Sequence, residues 1–245
     1  MPKTAKVVND NLVLICGASA SGKSASLRNI PNPKGVIYLN CEASKKLPFA
    51  SKFKELRITD PLVVFQAFTQ AEAMPDVHTI IVDSLTFLME MFESKYVLKA
   101  KDTMSGWSNY QQFFKELMQE YVAASTKNVI FTAHVHSILN EQEMITETKV
   151  PVKGALKNNG LEAYFSTVIS ARTISIDQLD KYKNSLLTIS PEEEALGFKY
   201  VYQTKITKET VNYRIRSSMG MWSTDETFID NDANLLLERL QQYYN

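Results

Sequence analysis

Four short runs of β-branched and aliphatic residues punctuate the first half of the chain, at 12–16, 36–39, 79–82 and 129–132. They are apolar at nearly every position rather than alternately apolar and polar, the pattern of strands covered on both faces. Between them the period lengthens to that of helices. A short helix is predicted from Lys23, and another from Asp60, whose carboxylate caps it while Pro61 takes the first helical position. Further helices are predicted over 85–98 and 107–124. In the latter, Phe113, Leu117, Tyr121 and Ala124 recur at spacings of four, four and three, a stripe that predicts one buried face. Strands alternating with helices predict an α/β fold with a mostly parallel central sheet flanked by helices.

From His134 to Leu161 this rhythm breaks. The polar, glycine-containing stretch 141–159 has no period and predicts a long functional loop. Beyond it, 167–176, 200–206 and 211–215 read as strands, the last two joined at 207–210 into a β-hairpin, and 233–244 as a helix. No repeat or linker divides the chain, so one domain over 1–245 is expected, with a core at about 11–176 and C-terminal strands and helix at about 197–245.

The chain has 245 residues, 44% of them hydrophobic and 22% charged, which excludes a disordered or collagen-like polymer. No window approaches eighteen consecutive apolar residues, and the start at 1–6 lacks the apolar stretch of a secretory signal, so a cytoplasmic protein with no membrane contact is expected. Cys16 and Cys41 each end an apolar run, where a reduced thiol acts as a small hydrophobe, and neither a disulfide nor a cysteine-bound metal is expected. With 27 basic and 27 acidic residues the net charge is zero, so any contact with a polyanion must be local.

The strongest chemical signal is Gly17-Ala18-Ser19-Ala20-Ser21-Gly22-Lys23-Ser24, a G-x-x-x-x-G-K-[ST] match that follows a predicted strand and precedes a predicted helix. Glycines let the backbone N–H groups curl toward phosphate oxygens, and the helix start adds its dipole. Lys23 reaches the β and γ phosphates, and the Ser24 hydroxyl joins a magnesium shell otherwise made of water and phosphate. The segment from Gly17 to Ala25 is therefore the candidate nucleotide cradle. Asp83, at the end of the apolar run 79–82, is the candidate second magnesium ligand. Its alternative role is to cap the helix that follows.

The order of these parts resembles the RecA-like branch of P-loop ATPases, over roughly 11–216: strand, phosphate loop, a strand ending near a glutamate, Val82-Asp83-Ser84-Leu85, then a strand ending in a polar residue. More narrowly, Tyr38-Leu39-Asn40-Cys41-Glu42 with Leu47-Pro48-Phe49, and Arg216-Ser217-Ser218-Met219-Gly220-Met221-Trp222, resemble the phage-encoded Sak-group ATPases of single-strand annealing and recombination. The resemblance implies ATP and Mg2+ as cofactors and Glu42 as the carboxylate that polarises the attacking water, against a plain surface role beside Lys45 and Lys46. It implies His134 as the γ-phosphate sensor in place of the commoner glutamine, a task Thr132 or His136 could share. It also implies a DNA-binding loop at 149–160, where Lys149, Lys153 and Lys157 stand four apart and would meet successive phosphates of single-stranded DNA, opposed by Glu141, Glu143 and Glu147.

Arg214 and Arg216 alternate along a predicted strand and so share a face. The resemblance implies that such cations act in trans on a neighbour's nucleotide, with Lys205 a third candidate, against an exposed face paired to Glu209 or Asp225. Self-association into a ring or filament follows, with a single-strand DNA-binding protein as a further partner. A small-molecule P-loop kinase, or a nucleotide-gated loader with little turnover, also matches the phosphate loop alone.

Overall fold

The computed structural model describes residues 8–43, 45–141 and 144–244, apart from the side chain of Asn140. The stretch 1–6 and Glu143, which entered the sequence reading, lie outside the described residues. Strands β1 (Leu12–Gly17), β2 (Val36–Asn40) and β3 (Lys54–Arg57) precede helix α1 (Val63–Ala73), and β4 (Thr79–Asp83) precedes α2 (Leu85–Phe92) and α3 (Thr103–Glu116). Then come β5 (Asn128–His134), β6 (His136–Asn140), β7 (Ile145–Lys149), the single turn α4 (Leu156–Asn159) and β8 (Thr167–Ser175). The short helices α5 (Ile176–Leu179) and α6 (Pro191–Leu196), β9 (Phe198–Gln203), β10 (Phe228–Asp230) and α7 (Ala233–Tyr244) complete the chain.

Eight strands form one sheet in the order β10-β9-β8-β1-β5-β4-β2-β3, parallel from β8 to β3 and antiparallel at β9 and β10. Because side chains alternate across a strand, the apolar runs feed two cores. Leu14, Leu39, Val82 and Phe131 pack with Phe68 of α1, Leu88 of α2 and Phe113 of α3 on one face. Val13, Ile15, Ile81 and Ile130 pack with Leu27, Trp222 and Leu236 of α7 on the other. Full burial on both faces explains why these strands carry no polar alternation.

Several sequence expectations are corrected by the tertiary structure. The helix expected from Lys23 is a five-residue 3-10 turn, Ala25–Asn29, because Ile30 precedes Pro31 and is extended. The helix expected from Asp60 begins its regular turns at Val63, with the Asp60 carboxylate accepting the Leu62 N–H at 3.0 Å. The predicted stripe holds at Phe113 and Leu117, but Ala124 is exposed and Val122 is buried instead. A π-helical turn at Leu117–Val122 widens the helix and rotates the following residues off the original face.

The long loop expected over 134–161 is partly ordered: β6 and β7 pair as an antiparallel hairpin. The C-terminal hairpin is absent, since both edges of β9 are taken, by β8 and by β10. Residues 211–215 form no strand. β9 covers β8 only from Ser170 onward, and Arg216 fills the edge left open at Val168 with two backbone hydrogen bonds of 2.8 and 3.0 Å. Among the described residues no helix is long and apolar enough to cross a membrane, and both cysteines are buried and free.

Candidate functional site

The parallel strands end at one rim of the sheet, and the loops leaving β1, β2, β4 and β5 converge there around a cleft of about 820 Å³. The loop from Gly17 to Ser24 forms its floor. Ala18, Ser19 and Ala20 are exposed, and Ala20 and Gly22 have φ of +61° and +91°, conformations that turn successive N–H groups the same way. Among the described residues, the N–H groups of Ser19, Ala20, Gly22, Lys23 and Ser24 have no backbone acceptor. Ser21 is buried with its hydroxyl unpartnered.

Gly17 is required by packing, since a Cβ there would stand 2.7 Å from the Ala171 carbonyl oxygen. Lys23 is buried beneath the loop, and its ammonium donates to the carbonyls of Gly17 at 2.9 Å and Ala18 at 2.7 Å. Burial lowers its pKa from 10.5 to about 8, against the pull of Asp83 and Glu42 toward the charged form. Unpaired donors, an inward cation and no room for added side chains make a cradle for a polyphosphate. The dipole contribution expected from a helix is reduced, because only a 3-10 turn follows.

Asp83 lies at the back of the cleft and is 1% exposed, so its carboxylate must find its partners inside the fold. It accepts from the Ser24 hydroxyl at 2.8 Å, the Tyr38 hydroxyl at 2.7 Å and the Thr132 hydroxyl. Burial, then the charge of Asp83, drives the Tyr38 hydroxyl pKa upward, so Tyr38 stays a donor. Thr132 is contributed by β5, which lies in the sheet between β1 and β4 and thereby bridges the phosphate loop strand to the Asp83 strand. Ser24 and Asp83 are hard oxygen donors, and among the described residues no group of three or more acidic, His or Cys side chains is arranged to hold a metal ion. Two protein oxygens suit magnesium, which keeps most of its water and binds the rest through phosphate.

Glu42, just past β2, and His134, ending β5, meet across the mouth of the cleft. The His134 Nε2–H donates to the Glu42 carboxylate at 3.1 Å, and Lys45 donates to its other oxygen at 3.1 Å. The bond from His134 and the pairing with Lys45 outweigh burial and hold the Glu42 pKa down at about 2. The Asn40 side chain fixes the turn by accepting the Glu42 N–H at 3.1 Å. Thr86 accepts the His134 backbone N–H at 2.9 Å, and Phe87 meets the imidazole edge-on.

The structure thus brings Lys23, Ser24, Asp83, Glu42 and His134 together. It does not place the other candidates there. His136 is exposed on β6, and Lys205 donates to the Trp222 carbonyl away from the cleft. Arg214 and Arg216 do not line the cleft and do not share a strand face. Arg214 bonds the Asn159 carbonyl at 3.0 Å and lies 3.8 Å from Glu162 and 3.9 Å from Glu147, rather than beside Glu209 or Asp225, whereas Arg216 is exposed.

Lys149, Lys153 and Lys157 border a second cavity of about 230 Å³. They do not form one free cationic track: Lys149 pairs with Glu147 at 2.6 Å, Lys153 with Glu93 at 2.8 Å, and Lys157 is exposed on α4. Sequence reasoning left Tyr38 without a role and missed the C-terminal wall of the cleft, formed by Lys199, Tyr200, Asn231 and Asp232. A polar residue within an apolar run, as at Tyr38, is the signal that could have marked the first. The second has none, because its residues are remote in the chain.

Comparison with known families gives the same core. A family model described as AAA domain matches residues 9–201, most of the chain and all of the cleft lining except Asp230, Asn231 and Asp232. The chain belongs to this AAA domain family. It therefore carries a P-loop ATPase fold, and families of this kind use ATP with Mg2+. No curated protein matches it.

Proposed function

We propose that this AAA domain protein hydrolyses ATP with magnesium, and that turnover is coupled to single-stranded DNA and to head-to-tail assembly, as in the Sak-group annealing and recombination ATPases it resembles. The observation that carries the hydrolytic part is the Glu42 carboxylate, held ionised by His134 in the same cleft as Lys23 and Asp83.

Phosphoryl transfer to water asks the protein mainly for positioning and charge. Lys23 leaves the loop carbonyls to neutralise the β and γ phosphates, while the unpaired backbone N–H groups of the loop hold their oxygens. Glu42 aims the attacking water and accepts its proton, and His134 keeps that carboxylate oriented and charged until it does. Magnesium, held by Ser24 and through Asp83, would neutralise the triphosphate charge, and Tyr38 and Thr132 orient Asp83 for that task.

Support for coupling to DNA comes from chain connectivity. Only Val135 separates His134 from the β6–β7 hairpin, so a change at the Glu42–His134 pair is transmitted directly to the hairpin and to the segment 149–160. Support for assembly is the exposed Arg216, which has no ion pair among the described residues and is free to reach a neighbouring copy. Such heterologous contacts build rings or filaments. A single-strand DNA-binding protein is the partner expected to share the same DNA.

The test is steady-state ATP hydrolysis with magnesium, with and without single-stranded DNA, over a range of protein concentrations and two salt levels. A rate that rises with DNA and faster than linearly with protein supports the full reading. A rate indifferent to both removes DNA and assembly and turns attention to small phosphate acceptors. No hydrolysis under any condition leaves a nucleotide-gated module.

A further inference from the structure

We infer that the C-terminal wall of the cleft is a nucleobase subsite that selects adenine, with Asn231 reading the base edge and Tyr200 supplying a stacking face. The inference rests on the ATPase reading for one point only, the direction in which the nucleotide lies. Glu42 just past β2, Asp83 ending β4 and His134 ending β5 are all on one side of β1 in the sheet, whereas Tyr200 in β9 and Asn231 after β10 lie on the other side. With the terminal phosphate at Glu42 and the phosphates over the loop between, the base is directed onto the β9–β10 wall.

That wall meets the loop directly. A Cβ on Gly22 would stand 3.0 Å from Asn231 Oδ1 and 3.3 Å from Tyr200 Cδ1, so both side chains close on the loop where it enters the lysine. The corner is braced by Arg28, which donates to the Asn231 carbonyl at 3.3 Å, and by Asn29, which donates to the Asp232 carboxylate at 2.7 Å. Asn231 and Asp232 lie beyond the 9–201 family match, so the shared fold does not account for them.

The chemistry of the wall points to a base. Asn231 lines the cleft, is 5% exposed, and its Nδ2 donor is buried without a partner. Buried donors are nearly always paired, so an unpaired one on a residue that lines the cleft points to a ligand contact. An asparagine amide places a donor beside an acceptor, the complement of adenine's ring nitrogen and exocyclic amine, whereas guanine offers a carbonyl where adenine has the amine. Tyr200 is 43% exposed beside it and offers the aromatic face on which a base stacks. The carboxylates of Glu193 and Asp230, paired to Lys199 at 2.6 and 3.2 Å, make this end unsuited to phosphate.

The test is equilibrium binding, by calorimetry on the full chain, of magnesium complexes of non-hydrolysable ATP and GTP analogues and of tripolyphosphate, which has no base. The wild type is expected to prefer the ATP analogue by roughly 5- to 100-fold. In Asn231→Leu, which keeps the volume but has neither donor nor acceptor, the ratio should fall toward unity once each affinity is divided by that for tripolyphosphate. Tyr200→Leu, at an exposed position, should weaken both analogues relative to tripolyphosphate, and it tests the subsite even if the first variant fails to fold. Equal affinities in the wild type, an unchanged ratio in Asn231→Leu, or unchanged analogue affinities in Tyr200→Leu overturn the inference. Tripolyphosphate binding without base discrimination overturns this inference alone. Failure to bind tripolyphosphate overturns the ATPase reading with it.

Discussion

His134 Nε2 and the Glu42 carboxylate lie 3.1 Å apart, although 92 residues separate them in the chain. The bond joins the end of β5 to the turn after β2 and is the main reason the carboxylate stays charged in a mostly buried setting. Glu42→Gln is expected to keep nucleotide binding and to lose hydrolysis by about 100-fold or more, measured by calorimetry beside a phosphate-release assay.

The same pair has a pH signature. The Glu42 pKa is depressed from 4.5 to about 2 in the fold, so its stabilisation is complete above about pH 4.5 and is lost as pH falls toward 2. His134→Ala should therefore be less stable than wild type at pH 7, with the gap shrinking as pH falls below 4.5. Urea denaturation at pH 7, 5 and 3.5 measures this, and a gap that widens on acidification would contradict the assignment.

Lys23 works in the opposite direction. Its pKa falls from 10.5 to about 8 on burial, so keeping it charged costs the free protein stability below about pH 8, and the cost is relieved as pH rises toward 10.5. Lys23→Met should abolish nucleotide binding yet leave the free protein as stable as wild type at pH 7, or more so by up to about 2–3 kcal/mol. That advantage should vanish by pH 10.5. Thermal melts at the two pH values, without nucleotide, read it.

Asp83 takes hydrogen bonds from Ser24, Tyr38 and Thr132 with almost no access to water. Tyr38→Phe and Thr132→Val should each cost about 1–3 kcal/mol, since each removes a bond to a buried charge. Because they share one acceptor, the double variant should depart from additivity. Chemical denaturation of the two singles and the double checks this, and a higher magnesium requirement for nucleotide binding should accompany the loss.

The two arginines should separate. Arg214 sits among Asn159, Glu147 and Glu162, so Arg214→Ala should lower stability, whereas Arg216→Ala, at an exposed side chain, should leave the melting temperature within about 1 °C. If Arg216 acts on a neighbour's nucleotide, its loss should remove the concentration dependence of hydrolysis and leave dilute-protein turnover intact. Rates at several protein concentrations decide between them.

Local physics makes much of this protein legible in its sequence. Runs 12–16, 36–39, 79–82 and 129–132 are short, rich in β-branched residues and apolar at almost every position, which suits a doubly covered strand, and each forms one. The glycines and lysine from Gly17 to Ser24 define the phosphate loop by stereochemistry alone, and the helix at 233–244 follows from its own apolar period.

Other features depend on contacts between distant segments, which a linear pattern does not encode. β3 is the charged sequence Lys54-Glu55-Leu56-Arg57 and becomes a strand only because β2 offers it an open edge. Residues 211–215 have strand-like composition but find β9 already paired on both sides. The π-turn at Leu117–Val122 exchanges Ala124 for Val122 in the core. At the cleft, the sequence alone marked the loop from Gly17 to Ser24 as the candidate phosphate cradle. Only the folded sheet decided that Tyr38 and Thr132 hold Asp83, that His134 holds Glu42, and that Asn231 closes on Gly22, because hydrogen bonding and close packing depend on distance in space rather than separation along the chain.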